Sequence, residues 1–166
     1  MGVSGAGKTV VGKLLARRLG WEFHDADSFH PPANIAKMSQ GIPLNDDDRR
    51  PWLESLAEAI KSWLAGSRNA VLACSALKAS YQEVLLVDPE QVKLVYLKGS
   101  FQLIMERVSA REDHFMPPQL LASQFDTLEE PRNAIVADID KSPEKIVEGV
   151  IAALGRLSSQ KWDPRF

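Results

Sequence analysis

The sequence predicts an α/β domain, with helices on both faces of a mostly parallel sheet. Three observations carry this. Short apolar runs alternate with stretches of helical periodicity along most of the chain. A glycine-rich loop, Gly2-Val3-Ser4-Gly5-Ala6-Gly7-Lys8-Thr9, runs directly into one such helical stretch. Residues able to do chemistry follow the apolar runs, at the strand ends where open α/β sheets bind their ligands.

The elements follow in order. Thr9 leads into Val10, Val11, Leu14, Leu15 and Leu19, spaced as one helix face and ended by Gly20. Trp21 to His24 reads as a short strand closed by Asp25-Ala26-Asp27. Residues 28 to 46 are polar and proline-bearing, with one short helix at Ile35 to Ser39. Pro51 suits the first turn of a long helix with acidic residues just before it. Trp52, Leu53, Leu56, Ala57, Ile60, Trp63 and Leu64 form its apolar face, and Gly66 stops it. Ala70 to Cys74 and Val92 to Leu97 read as strands, with a helix from Lys78 to Leu86 between them. Phe101 to Ala110 is helical, Glu112 to Pro118 a mobile lid, and Ala134 to Ile139 a last strand. Pro143 opens a helix ending near Leu157. One domain over residues 1–157 is expected, with a lid at about 111–125 and a tail at 158–166. The tail and the stretch around Pro117 and Pro118 are the expected soft regions.

Composition narrows the function classes. The formal net charge of −2 does not favour a nucleic-acid partner. A single cysteine, Cys74, excludes an internal disulfide and fits a reducing, cytoplasmic compartment. No apolar run reaches membrane-spanning length, and no signal peptide is visible.

The opening loop matches G-x-x-x-x-G-K-[ST] in full. Its glycines let backbone N–H groups turn inward around a polyphosphate. Lys8 can reach the β/γ-phosphates, and the Thr9 hydroxyl can ligate Mg²⁺. The helix that follows points its positive end at the same place. Such a loop normally follows a buried strand of about five or six residues. Here only Met1 precedes it. That strand would be central, so its absence leaves a gap inside the sheet. Each buried backbone group left unpaired costs about 1–3 kcal/mol, against a total stability of about 5–15 kcal/mol. If Met1 is internal to a longer coding sequence, an upstream run of four to six apolar or β-branched residues is expected. If residues 1–166 are the whole product, low stability and little activity are expected.

Asp25 and Asp27 lie at i and i+2 after a strand, so both can face one site. Phosphoryl transfer needs an acid near the metal and a base for the attacking hydroxyl. The later strand ends in Cys74-Ser75-Ala76 and supplies no carboxylate. Asp25 and Asp27 are therefore the best-placed acids; the alternative is a pair of turn or N-cap aspartates. His30 alone is weak evidence. The run Asp46-Asp47-Asp48-Arg49-Arg50 reads either as an acid-capped helix start or as one arginine holding an anionic substrate. Arg107 and Arg111 share one helix face, as a solvated basic stripe or as lid cations over a transferring phosphoryl group.

Several blocks together resemble gluconokinase, the small ATP-dependent gluconate kinase family related to shikimate kinase. They are the phosphate loop, Asp25-Ala26-Asp27 with His30-Pro31, and Gly41-Ile42-Pro43-Leu44-Asn45-Asp46 with Asp48-Arg49 and Pro51-Trp52-Leu53. Cys74-Ser75-Ala76-Leu77-Lys78 with Tyr81, His114-Phe115-Met116, and Ser123-Gln124-Phe125 with Leu128-Glu129 complete the set. The resemblance runs from residue 1 to about residue 155. It departs mildly at Ala26, where glycine is frequent, at Thr9 for serine, and at Gln82 for arginine.

The resemblance implies a P-loop kinase fold and transfer of a phosphoryl group from ATP to the 6-hydroxyl of D-gluconate, feeding the pentose phosphate route. It implies Gly2, Val3, Ser4, Gly5, Ala6, Gly7, Lys8 and Thr9 around the nucleotide, with Arg107 near the adenine. Asp27 would be base and hydroxyl ligand, and Asp25 would join Thr9 at Mg²⁺. His30, Arg49, Lys78 and His114 would face the substrate, and Arg111 the transferring group. The family suggests a homodimer. The competing expectations are another small-molecule or nucleotide kinase of this fold, and a truncated form that binds ATP without turnover.

Overall fold

The computed structural model describes residues 1–110 and 118–159. Seven helices and four short strands alternate along these residues. The strands are β1 (Glu22–Asp25), β2 (Ala70–Ala73), β3 (Val95–Lys98) and β4 (Ile135–Asp138). β1 pairs in parallel with β2, Glu22 opposite Ala70, and β3 with β4, Val95 opposite Ile135. The sheet is thus two parallel pairs, not one continuous ladder.

Met1 and Gly2 join the pairs at one end. The Leu97 N–H donates to the Met1 carbonyl at 3.0 Å, and the Gly2 N–H to the Ser75 carbonyl at 3.3 Å. The Met1 α-amino group donates to the Val95 carbonyl. These are the hydrogen bonds of a parallel central strand, but two residues supply them all. Behind them lies a cavity of about 250 Å³, lined on one side by Ala70 to Ala73 and on the other by Val92 to Val95. The gap expected from the short N-terminal lead is therefore a defined slot in the middle of the sheet. Burial pushes the Met1 α-amino group down to about 5, with Lys8 adding to the shift.

Two apolar layers cover the sheet. On one face α1 (Lys8–Leu19), α5 (Phe101–Ser109), α6 (Pro118–Thr127) and α7 (Pro143–Ser159) bury Val11, Leu15, Ile104, Leu121 and Val147. On the other, α3 (Asp46–Ala65) and α4 (Ala79–Leu85) bury Trp52, Leu56, Trp63 and Tyr81. The remaining helix, α2, spans Pro32–Ser39. Among the described residues no helix is long and apolar enough to cross a membrane.

Differences from the sequence reading have local causes. Helix α3 begins at Asp46, five residues before Pro51, because Asn45 and Asp48 form a reciprocal capping box. Pro51 then sits inside the helix, where it lacks the N–H that would reach the Asp47 carbonyl. Helix α2 starts at Pro32, in the first turn where proline is favoured. Val10, read as part of the buried face of α1, is exposed. Residues 111–117 of the expected lid lie outside the described residues. Residues Pro118–Thr127 form α6, with Leu121 fully buried and Leu120 exposed. The tail at 160–166 also lies outside the described residues.

Candidate active site

The phosphate loop is built by backbone geometry. Gly5 and Gly7 have φ of 84° and 89°, a region L side chains rarely adopt. A Cβ on Gly5 would lie 2.6 Å from Val108 Cγ2 and 2.9 Å from Ile104 Cγ2, so α5 packs against bare backbone there. Gly7 is the N-cap of α1 and has no capping side chain, which leaves the helix N-terminus open toward a ligand. Lys8 Nζ donates to the Gly2 and Val3 carbonyls, each at 3.0 Å, and so lies across the loop. The Ser4 N–H donates to Gln124 Oε1 at 2.7 Å, tying the loop to α6.

Beside the loop, Thr9 Oγ1 lies 3.4 Å from Asp25 Oδ2. The other carboxylate oxygen, Oδ1, accepts from the Asp27 N–H at 3.2 Å and caps a 3-10 turn, Ala26–Phe29. Asp25 is therefore the N-cap aspartate and also the carboxylate beside the Thr9 hydroxyl. The turn sets Asp27 next to Asp25 at the carboxyl end of β1.

His30 stacks on Trp52 with ring centroids 4.6 Å apart. Its Nδ1 lies 3.3 Å from Asn34 Nδ2, and that buried amide also donates to the Asp48 carbonyl at 2.8 Å. Burial holds the His30 pKa below its ordinary value; Asp27 opposes the shift and Arg49 adds to it. The two arginines of the charge run separate clearly. Arg50 pairs with Asp47 out in solvent. Arg49 lies over the Tyr81 ring, 5.9 Å from its centroid, and 4.0 Å from Asp46. Lys78 donates to both Asp46 carboxylate oxygens, at 2.8 and 2.7 Å.

Asp25, Asp27, His30, Arg49 and Lys78 thus come from β1, its following turn, α3 and the lead into α4. Arg107 donates to the Ile139 carbonyl at 2.6 Å, next to β4. Arg111 and His114 lie outside the described residues. The sequence offered no reading of Asn34, read Asp46 only as part of an acid-capped helix start and of a family block, and gave Gln124 only as part of a family block. Asn34 with Asp48, Asp46 with Lys78 and Gln124 with Ser4 meet across distant segments, which no local spacing encodes.

Mg²⁺ is tested by the donor set. Among the described residues no group of three His, Cys, Asp or Glu could hold a metal by itself. One hydroxyl and one carboxylate beside a phosphate cradle suit a hard cation that keeps water and phosphate oxygens as its other ligands. The residues fit.

The shikimate kinase family model matches residues 4–154. A probable gluconokinase of Xenopus tropicalis is 45% identical over 174 aligned residues, covering 94% of this chain and 92% of that protein. The gluconokinase of Gluconobacter oxydans is 45% identical, covering 91% of this chain and 86% of that protein. The crystal structure of a gluconokinase from Sinorhizobium meliloti superposes with a TM-score of 0.85 at 42% identity, covering all of this chain and 95% of that one. The chain belongs to the gluconokinases of the shikimate kinase family.

The gluconokinase motifs now have physical roles. Gln124 holds the phosphate loop. Glu129 accepts from the Ala79 N–H at 2.7 Å and anchors the start of α4 beside Lys78. Gln82, where arginine is frequent, is buried and donates to the Ala76 and Glu129 carbonyls at 3.1 and 2.9 Å.

Proposed function

We propose that the chain is a gluconokinase, moving the γ-phosphoryl group of ATP to the 6-hydroxyl of D-gluconate. One observation supports the reading most: His30 feels both Asp27 of the acid turn and Arg49, and Arg49 and Lys78 share the Asp46 carboxylate. A phosphate loop alone would serve any nucleotide. The added cations fit a substrate with one carboxylate.

Magnesium, when bound with ATP, supplies positive charge at the phosphate oxygens. The protein residues do the rest. Thr9 and Asp25 would hold the metal, and the Gly5 to Lys8 backbone would cradle the phosphates. Asp27 would accept the 6-hydroxyl proton as that oxygen bonds to phosphorus and ADP leaves. Lys8 would neutralise charge on the β/γ oxygens. Arg49 and Lys78, with His30, would fix the acid so that only its far hydroxyl reaches Asp27. Arg107 would lie near the adenine; Arg111 and His114 would complete the site from the lid.

Coupled ADP detection over a panel of gluconate, shikimate and other sugar acids tests this. Preference for gluconate over the other acceptors is expected, and Asp27→Asn should abolish turnover while ATP binding persists; a rate of about 1–100 s⁻¹ would refute the low activity expected of residues 1–166 as the whole product. Preference for a different acceptor would overturn the substrate. ATP binding without turnover on any acceptor would favour the non-catalytic reading, for which the slot in the sheet is the supporting observation.

A further inference from the structure

Asp46 is not needed to start α3. Asn45 and Asp48 already satisfy that helix terminus with their capping box. The Asp46 carboxylate instead accepts two contacts from Lys78 Nζ and one from the Tyr81 hydroxyl. Arg49 stands one helical turn along, 4.0 Å away. Both cations also lie over the Tyr81 ring, Lys78 at 5.5 Å and Arg49 at 5.9 Å from its centroid. Two elements distant in sequence, the start of α3 and the start of α4, are thus locked together through one carboxylate.

Two features set this apart from an ordinary surface ion pair. First, Tyr81 is buried while its hydroxyl meets Asp46, so the carboxylate is fixed from below as well as from the side. Second, two cations against one carboxylate leave a single net positive charge. That matches one carboxylate on a polyol chain and disfavours a dianion. Lys78 is a flexible point charge and needs a partner to hold it in place.

We propose that Asp46 is a positioning residue for the acid end of the substrate, holding Lys78 and Arg49 against Tyr81 so that they grip one carboxylate. The inference rests on the gluconate kinase reading. Asp46 touches no reacting atom; it acts through Lys78. A grip equal in ground and transition states changes KM and leaves kcat alone.

The test is a double-mutant cycle on the full chain with gluconate and ATP. Asp46→Asn should raise the gluconate KM about ten-fold or more, since it removes a charge-assisted contact. The kcat and the ATP KM should stay within about two-fold. Asp46→Glu should recover part of the loss. Lys78→Ala and the double variant should share one gluconate KM, because Asp46 has nothing left to position. An additive cycle, or an unchanged or lower KM in Asp46→Asn, overturns the proposal. An activity-independent readout accompanies it: the Lys78 titration followed by NMR on ¹³C-methylated lysines, assigned with Lys78→Arg. The Lys78 pKa lies above the ordinary lysine range, chiefly through its hydrogen bond to Asp46, and should return to that range in Asp46→Asn. No change there also overturns the proposal. A parent chain that ignores gluconate would show instead that the kinase reading itself had failed.

Discussion

Trp52 donates its indole N–H to the Ala26 carbonyl at 2.8 Å, in the buried layer between α3 and the sheet. Ala26 is the residue between Asp25 and Asp27, so a core tryptophan sets the height of the acid turn. The same ring stacks on His30. Trp52→Phe leaves the Ala26 carbonyl buried without its donor. That should cost about 1–3 kcal/mol, or about 2–4 °C of Tm per kcal/mol for a chain of this size. Because the turn carries Asp27, kcat should fall while the ATP KM holds. Thermal melts and a coupled assay read both. Loss of stability with unchanged kcat would separate Trp52 from the acid turn.

His30 makes stability depend on pH with a definite sign. Its folded pKa lies below the ordinary value of 6.5, chiefly because of burial. Between the two values the unfolded chain binds more protons, so stability rises with pH. The contribution is complete above the unfolded pKa and is lost as pH falls through the folded one. Urea midpoints compared between about pH 7.5 and 5.5 should drop more in the parent chain than in His30→Gln. Equal drops would mean that His30 titrates as it does in the unfolded state.

Cys74 should be inert in the folded chain. Burial pushes its thiol up to about 11, and the side chain lies in the layer beside Met1 and Trp63. At about pH 8 little thiolate is present and access is closed, so alkylation by iodoacetamide should run on the order of a hundred-fold slower than in denaturant. The lone cysteine thereby becomes a probe of opening around the slot. Fast labelling under native conditions would show that this layer opens readily.

The slot itself can be filled by design. Adding five residues of alternating β-branched and apolar character ahead of Met1 should continue its ladder back from Val95 along Lys93 and Val92, which line the slot. The added peptide bond would also replace an α-amino group whose burial holds its pKa at about 5. A Tm rise of about 5 °C or more is expected, and none from an equally long extension rich in proline and aspartate, which cannot enter the ladder. Equal behaviour of the two extensions would show that the slot does not take a strand.

The sequence by itself determined the alternating α/β order, the phosphate loop, and the acids that follow β1. These features are local: glycine spacing, 3.6-residue periodicity and a strand-end pair are written in neighbouring residues. Sequence reading misplaced the start of α3, because the capping box at Asn45 and Asp48 outweighs the proline signal at Pro51. Residue spacing alone left the two arginines of the run open, the resemblance pointed to Arg49, and the tertiary structure shows their different surroundings. Arg49 lies over Tyr81 of α4, whereas Arg50 pairs with Asp47 in solvent. Likewise Asp46 with Lys78, Trp52 with Ala26, and Gln124 with Ser4 are separated by 32, 26 and 120 residues. No local pattern encodes such pairs; they exist because burying two apolar layers on a short parallel sheet brings the strand ends and helix starts to one edge.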